Sequence, residues 1–149
     1  MLIKHRETNW RKELSFLKNN NFWFEKPLEN LLNNNVVYLN WYTSIFTSLS
    51  LFLIPEVSGV YIIQNNNGFI YVGQSENLRR RMFEHAFKET NLLLRFLMEI
   101  YEQSIVVKWA EVPKYQLNGV EKYLCNRLNP ICNHILPPGN KEIPCNLPI

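Results

Sequence analysis

Aspartate is missing from all 149 residues of this chain, so every carboxylate is a glutamate and the oxygen ligands open to a metal ion are correspondingly few. Cysteine is scarce as well. Cys125, Cys132 and Cys145 are an odd number at wide spacing, and no secretory leader is read at the N-terminus. A reduced, cytoplasmic compartment is therefore expected in place of a disulfide framework. Cys132 and His134 could supply two metal ligands, but no second pair completes a tetrahedral zinc site. Charge is absent from residues 30–55, and residues 36–54 are long enough to reach across a bilayer. That stretch also holds Asn40, Thr43, Ser44, Thr47, Ser48 and Ser50, too many polar groups for a span. Burial against the rest of the protein is the expectation, and no membrane. Finally, no lysine lies between Lys26 and Lys88.

What is present describes a globular protein. Apolar residues make up 46% of the chain, enough for one core and too many for a disordered segment. A net charge of +3 permits nucleic-acid binding without requiring it. The Asn runs at 19–21, 33–35 and 65–67 read as compositional bias.

Three segments follow from pattern: an N-terminal extension over 1–54, a core domain over 55–136 and a Pro-rich tail or strap over 137–149. In the extension, Thr8 caps an expected helix over 8–19 with Trp10, Leu14 and Leu17 on one face. A weaker helix is expected at 28–32, and 36–42 reads as a strand or a buried loop. The core begins with a strand over 57–64, an Asn65-to-Gly68 turn with Asn-Gly at its tip, and a return strand over 69–73. A helix capped by Ser75 follows over 75–90, with Leu78, Met82, Phe83 and Ala86 inward. Further expectations are a helix over 92–101, a strand over 105–112 and a helix over 117–128 that stops before Pro130. The class is α+β: a small three-stranded antiparallel sheet flanked by helices, behind a mostly helical extension.

The residues that carry chemistry surround the hairpin. Gly59-Val60-Tyr61 and Tyr71-Val72-Gly73 lie on its two strands, and the helix beyond carries Arg81 and His85 four residues apart, on one face. An arginine there can fork onto two phosphate oxygens. Arg79 and Arg80 point elsewhere, as solvated or backbone-steering charges. Taken singly, each of these residues also fits an ordinary role: Arg81 as one more exposed charge, His85 as a packed side chain, Tyr61 and Tyr71 as core rings, Glu121 as a surface glutamate.

Together they resemble the GIY-YIG nuclease superfamily over roughly residues 55–135. Gly-Val-Tyr and Tyr-Val-Gly match its two naming motifs. Arg81 falls ten residues after Tyr71, His85 one turn later, and Glu121 sits on a later helix. Asn133 closes a Pro130-Ile131-Cys132-Asn133 segment. The resemblance implies a DNA endonuclease that uses one divalent ion, Mg²⁺ or Mn²⁺, held by Glu121 and the scissile phosphate. It implies Tyr61 as general base or relay, Tyr71 positioning water or phosphate, Arg81 stabilising phosphoryl charge, and Asn133 orienting its neighbours. Gln74, Arg79 and Arg80 are expected along the nucleic acid, duplex or branched, with the protein a monomer or homodimer. Many members carry a lysine where this chain has Gln74, so less positive charge is available near the tyrosines. The alternative is a nucleic-acid-binding module that kept the fold and lost the cutting; against it, Tyr61, Tyr71, Arg81, Glu121 and Asn133 are all intact.

Overall fold

The computed structural model describes residues 3–4, 36–133 and 141–148. The helices expected over 8–19 and 28–32, and His134, lie outside these residues. The elements are β1 (Ile3–Lys4), β2 (Tyr42–Ile45), α1 (Ser48–Phe52), β3 (Gly59–Asn65), β4 (Gly68–Ser75), α2 (Leu78–Phe87), α3 (Leu92–Ile100), β5 (Val106–Glu111) and α4 (Leu117–Leu128). They build an antiparallel sheet in the order β1-β2-β5-β3-β4. The expected three strands are therefore too few: Tyr42–Ile45 adds a fourth beside β5, and the two residues of β1 add a fifth at the edge. The uncharged stretch after residue 35 thus holds a strand and a short helix, and its strand joins the core sheet across the boundary expected at 54/55. No described helix is long and apolar enough to cross a membrane.

The central strand β3 is buried on both faces, and its alternation sorts the core into two layers. Val60 and Ile62 face α4 with Val72, Val120 and Leu124. Tyr61 and Ile63 face α2 and α3 with Leu78, Met82 and Leu94. Burying each such aliphatic side chain is worth about 1.5–3 kcal/mol. Residues 141–148 strap the first layer. Cys145 forms a bridge with Val37, Asn146 pairs with Leu39 through two hydrogen bonds, and Ile143 N donates to Gly119 O at 2.9 Å.

Two local readings shift. The hairpin loop is Asn66-Asn67, with Asn65 paired to Gly68. Asn65 Oδ1 accepts from Asn67 N and Gly68 N at 2.8 and 3.0 Å, so the Asn side chain shapes the turn and Gly68 starts the return strand. Ser75 is not the cap of α2. The ladder carries it into β4 opposite Gly59, and Asn77 caps instead, its side chain accepting from Arg80 N at 3.0 Å. Ser75 Oγ bonds Asn77 N and O and sets the turn between them.

A Cβ added at Gly59 would collide with the Ala110 carbonyl and lie 2.6 Å from Leu78 Cδ1. Gly59→Ala is therefore expected to cost about 1–3 kcal/mol. At Gly68 nothing lies within 4 Å, so Gly68→Ala should be neutral or stabilise by up to about 1 kcal/mol. Urea midpoints for the two variants test this, and equal losses would contradict it.

Candidate active site

Tyr61, on β3, and Tyr71, on β4, project from the same face of the hairpin, their rings stacked with centroids 6.1 Å apart. The opposite partner of Tyr61 in the ladder is Gly73. A Cβ there would fall on the Tyr61 ring and 2.8 Å from Tyr71 Cε1. The glycine of the second motif is thus a clearance for the tyrosine of the first.

Helix α2 crosses this face and delivers Arg81 and His85 together, as their spacing predicts. Arg81 Nε donates to Tyr61 Oη at 3.2 Å, and His85 Nε2 lies 2.6 Å from the same oxygen. Tyr61 is fully buried and His85 nearly so. The His85 ring meets both tyrosine rings edge-on, at 5.3 and 5.2 Å. Its Nδ1 is bonded to Glu89 Oε2, and Glu89 Oε1 accepts from Asn91 N at 2.9 Å. Arg81 also pairs with Glu84 at 3.0 Å.

Glu121 arrives from the other side of β4, on α4. Gln74 Nε2 donates to Glu121 Oε2 and to Asn118 Oδ1, both at 2.5 Å. Gln74 is therefore a bridge between β4 and α4, its amide hydrogens already engaged. Asn133 clamps the neighbouring strand residue, accepting from Val72 N at 2.9 Å and donating to Val72 O at 2.7 Å. Arg79 and Arg80 stay outside this cluster. Arg79 Nε holds Ile54 O at 2.7 Å with its guanidinium over the Phe52 ring, whereas Arg80 is exposed beside Glu84. So Arg79 ties α2 to the loop after α1, and Arg80 keeps the solvated placement expected of it.

Sequence reading missed Glu89, Glu84 and Asn118. The first two carried a signal, lying four residues beyond His85 and three beyond Arg81. Asn118 carried none, because its partner is 44 residues away.

Burial dominates the electrostatics. Desolvation pushes the Tyr61 phenol well above its ordinary value and outweighs the opposing charge of Arg81. Tyr71 is raised for the same reason. Desolvation lowers His85, against the hydrogen bond it makes to Glu89 and with the charge of Arg81 adding to the fall. Glu121 is raised by burial, partly offset by the Gln74 bond and by Arg81. Glu89 is lowered, its bonds to His85 and to the Asn91 amide overcoming desolvation. Among the described residues no group of three His, Cys, Asp or Glu side chains could hold a metal ion. A hard cation at Glu121 would take its other ligands from water and substrate oxygens, as Mg²⁺ commonly does.

The shifts of His85 and Glu89 give stability one sign of pH dependence. Below the ordinary histidine value of 6.5, the unfolded chain takes up a proton that folded His85 refuses. Below the ordinary glutamate value of 4.5, the same holds for Glu89. Stability should therefore fall as pH drops, by at most about 1.4 kcal/mol per pH unit for each proton. His85→Gln should lose less than the wild type between pH 7.5 and 5.5 in urea midpoints; an equal loss would show that His85 titrates normally.

Comparisons with known proteins identify the family of the same region of the chain. The family model of the GIY-YIG catalytic domain matches residues 57–135, more than half of the chain. UvrABC system protein C of Fusobacterium nucleatum is 40% identical over 82 residues, covering 43% of this chain and 14% of that protein. The chain thus spans about a seventh of that relative's length. Among solved structures, it is similar to the GIY-YIG N-terminal endonuclease domain of UvrC from Thermotoga maritima bound to its catalytic divalent cation, magnesium. There the TM-score is 0.47 at 25% identity, over 56% of this chain and 91% of that one. A cation-bound point mutant of the same domain gives 0.47 at 24%, over 57% and 91%. The chain belongs to the GIY-YIG catalytic domain family.

Proposed function

We propose that this chain is a divalent-metal-dependent DNA endonuclease that hydrolyses phosphodiester bonds. The observation that carries the reading is the Tyr61 hydroxyl, buried between Arg81 Nε and His85 Nε2, with the Glu121 carboxylate tethered across β4 by Gln74.

Because burial raises the Tyr61 pKa, the phenol is protonated at neutral pH and cannot act as a preformed phenolate. It works instead as a relay. A water attacking phosphorus gives its proton to Tyr61 Oη while the phenolic proton passes to His85 Nε2. His85 is ready to accept, since desolvation keeps it neutral. Arg81 covers the hydroxyl in the free protein. When its guanidinium forks onto the phosphate it exchanges Glu84 for two phosphoryl oxygens, neutralises their charge and uncovers Tyr61. Tyr71, stacked beside Tyr61, lines the path of the water. Asn133 holds the backbone between Tyr71 and Gly73, so it acts by positioning.

Glu121 suits a divalent cation. It is a hard oxygen donor, and no ion pair among the described residues neutralises it. Its burial holds a charge that a cation would relieve. Such a cation, Mg²⁺ or Mn²⁺, would supply Lewis-acid stabilisation of the phosphoryl and leaving oxygens. The substrate reading is DNA, with Arg80 as an outer phosphate contact.

Supercoiled plasmid with and without Mg²⁺ or Mn²⁺ tests the proposal, nicked circles being expected only with metal. Glu121→Ala should abolish nicking while DNA affinity stays within a few-fold. Mg²⁺ should raise the melting temperature of the wild type and not of Glu121→Ala. Robust cleavage by Glu121→Ala at ordinary Mg²⁺ would overturn the metal assignment.

Arg81 and Arg80 should separate by kind of defect. Arg81→Lys is expected to lose most of the rate, because a point charge cannot reproduce two aligned donors. Arg80→Ala should weaken affinity and flatten its salt dependence, with the rate at saturation kept. Equal losses in both would mean a basic patch without a catalytic arginine.

A further inference from the structure

We infer that Glu89 is a positioning residue that fixes which nitrogen of His85 accepts the proton of Tyr61. The inference deepens the reading above and, for its kinetic part, rests on it. An ionised carboxylate only accepts hydrogen bonds, so its bond to Nδ1 places the imidazole proton on that nitrogen. Nε2 is then a bare lone pair 2.6 Å from Tyr61 Oη, and the phenol is the donor. Without the carboxylate, the neutral ring is free to carry its proton on Nε2. It would then donate to Tyr61, and the relay would have no acceptor.

The surroundings hold this pair in register. His85 and Glu89 are buried together, their side chains 0% and 8% exposed. Helix α2 ends at Phe87, so helical geometry alone does not place Glu89. Its second oxygen takes the Asn91 amide hydrogen; Asn91 caps α3 with Oδ1, and its Nδ2 donates to Cys132 O at 3.0 Å. Cys132 N in turn bonds Ile70 O beside Tyr71. One chain of bonds thus runs from the strand edge to the carboxylate that orients the ring.

The charge of Glu89 would also stabilise the imidazolium once Tyr61 has passed its proton on, as a carboxylate does behind other catalytic histidines. His85 and Glu89 both line a cavity of about 1100 Å³, bounded further by Lys88, Arg95, Glu99 and Glu102. Tyr61, Arg81 and Glu121 do not line it. His85 and Glu89 thus border a space that Tyr61, Arg81 and Glu121 do not. The charged or titratable groups facing His85 are Tyr61 from β3, Tyr71 from β4, and Arg81, Glu84 and Glu89 from α2 and its end.

Nitrogen-15 NMR of the full chain, with His85 assigned by His85→Gln, reads the tautomer without reference to cleavage. At pH 7.5 the wild type and Tyr61→Phe should carry the proton on Nδ1. Glu89→Ala should shift it toward Nε2. Glu89→Gln, which keeps an acceptor oxygen and the Asn91 contact, should hold it on Nδ1. In plasmid nicking, Glu89→Ala should lower kcat about 10²-fold or more with KM within a few-fold. Removing the negative charge should also move the acid limb of its pH profile to lower pH, and Glu89→Gln should recover part of the rate. A merely structural glutamate would lower the plateau without moving the limb. A wild-type proton on Nε2, or a Glu89→Ala enzyme with unchanged kcat and limb, would overturn the inference. If the wild type cuts no DNA, the nuclease reading fails and the tautomer still decides the role of Glu89.

Discussion

One buried phenolic oxygen organises the site. A hydroxyl left unpaired in the interior costs about 1–3 kcal/mol, and Tyr61 has no access to water. Its partners must come from another element, and they come as Arg81 and His85, one helical turn apart on α2. For α2 to lie that close, the hairpin must be flat beneath it. Gly73 leaves room for the Tyr61 ring, and Gly59 lets β3 approach Ala110 while Leu78 packs over it. The glycines and tyrosines of the paired motifs are therefore a single packing requirement: rings where the helix lands, no Cβ where the rings lie.

Glu121 and the Arg81–His85 pair are delivered to the edge strand from opposite layers of the core. Arg81 and His85 belong to the layer under α2, and Glu121 to the layer under α4. An edge strand is a weak platform for such a division, because its outer backbone groups lack a ladder partner. Here Ile131, Cys132 and Asn133 run beside β4 and bond Phe69, Ile70 and Val72. Gln74 pins the strand to α4 from the other direction. The strand is held at Phe69, Ile70, Val72 and Gln74, with Tyr71 and Gly73 between the last three.

Much of this was legible in the sequence, because it was local. The helix at 117–128 matches α4 residue for residue, bounded by Asn129 in the left-handed region at φ 48 and then Pro130. Arg81 and His85 share a face as their spacing requires. What local pattern could not give was pairing. Residues 36–42 were open between strand and loop, and the strand lies instead at Tyr42–Ile45, whose partner, Val106–Trp109, is over sixty residues away. Ser75 has good capping chemistry, yet the ladder with Gly59 holds it extended, and the next capping residue takes over. Gln74 was read by analogy with a phosphate-facing lysine, whereas its partners are on a helix more than forty residues on. Glu89 lay inside the helix expected over 75–90, four residues beyond His85, and was overlooked there although that spacing pairs them; α2 itself ends at Phe87.

Gln74 also bears on how the proton must move. A lysine there would place a second cation beside the tyrosines; a neutral amide leaves Arg81 as the cation that opposes the desolvation of Tyr61. Arg81 loses that contest, and the phenol remains protonated. In the proposed nuclease, a site built this way has little use for a phenolate, and the base would lie one bond further in, at His85. Burial keeps it neutral, and Tyr61 lies on the nitrogen opposite its carboxylate partner. Burial thus raises the donor and lowers the acceptor, keeping the proton on Tyr61 at rest. Charge developing on an attacked phosphate would draw Arg81 away and expose the phenol to water. In the proposed mechanism the proton would have cause to move only then, which would tie transfer to the presence of substrate.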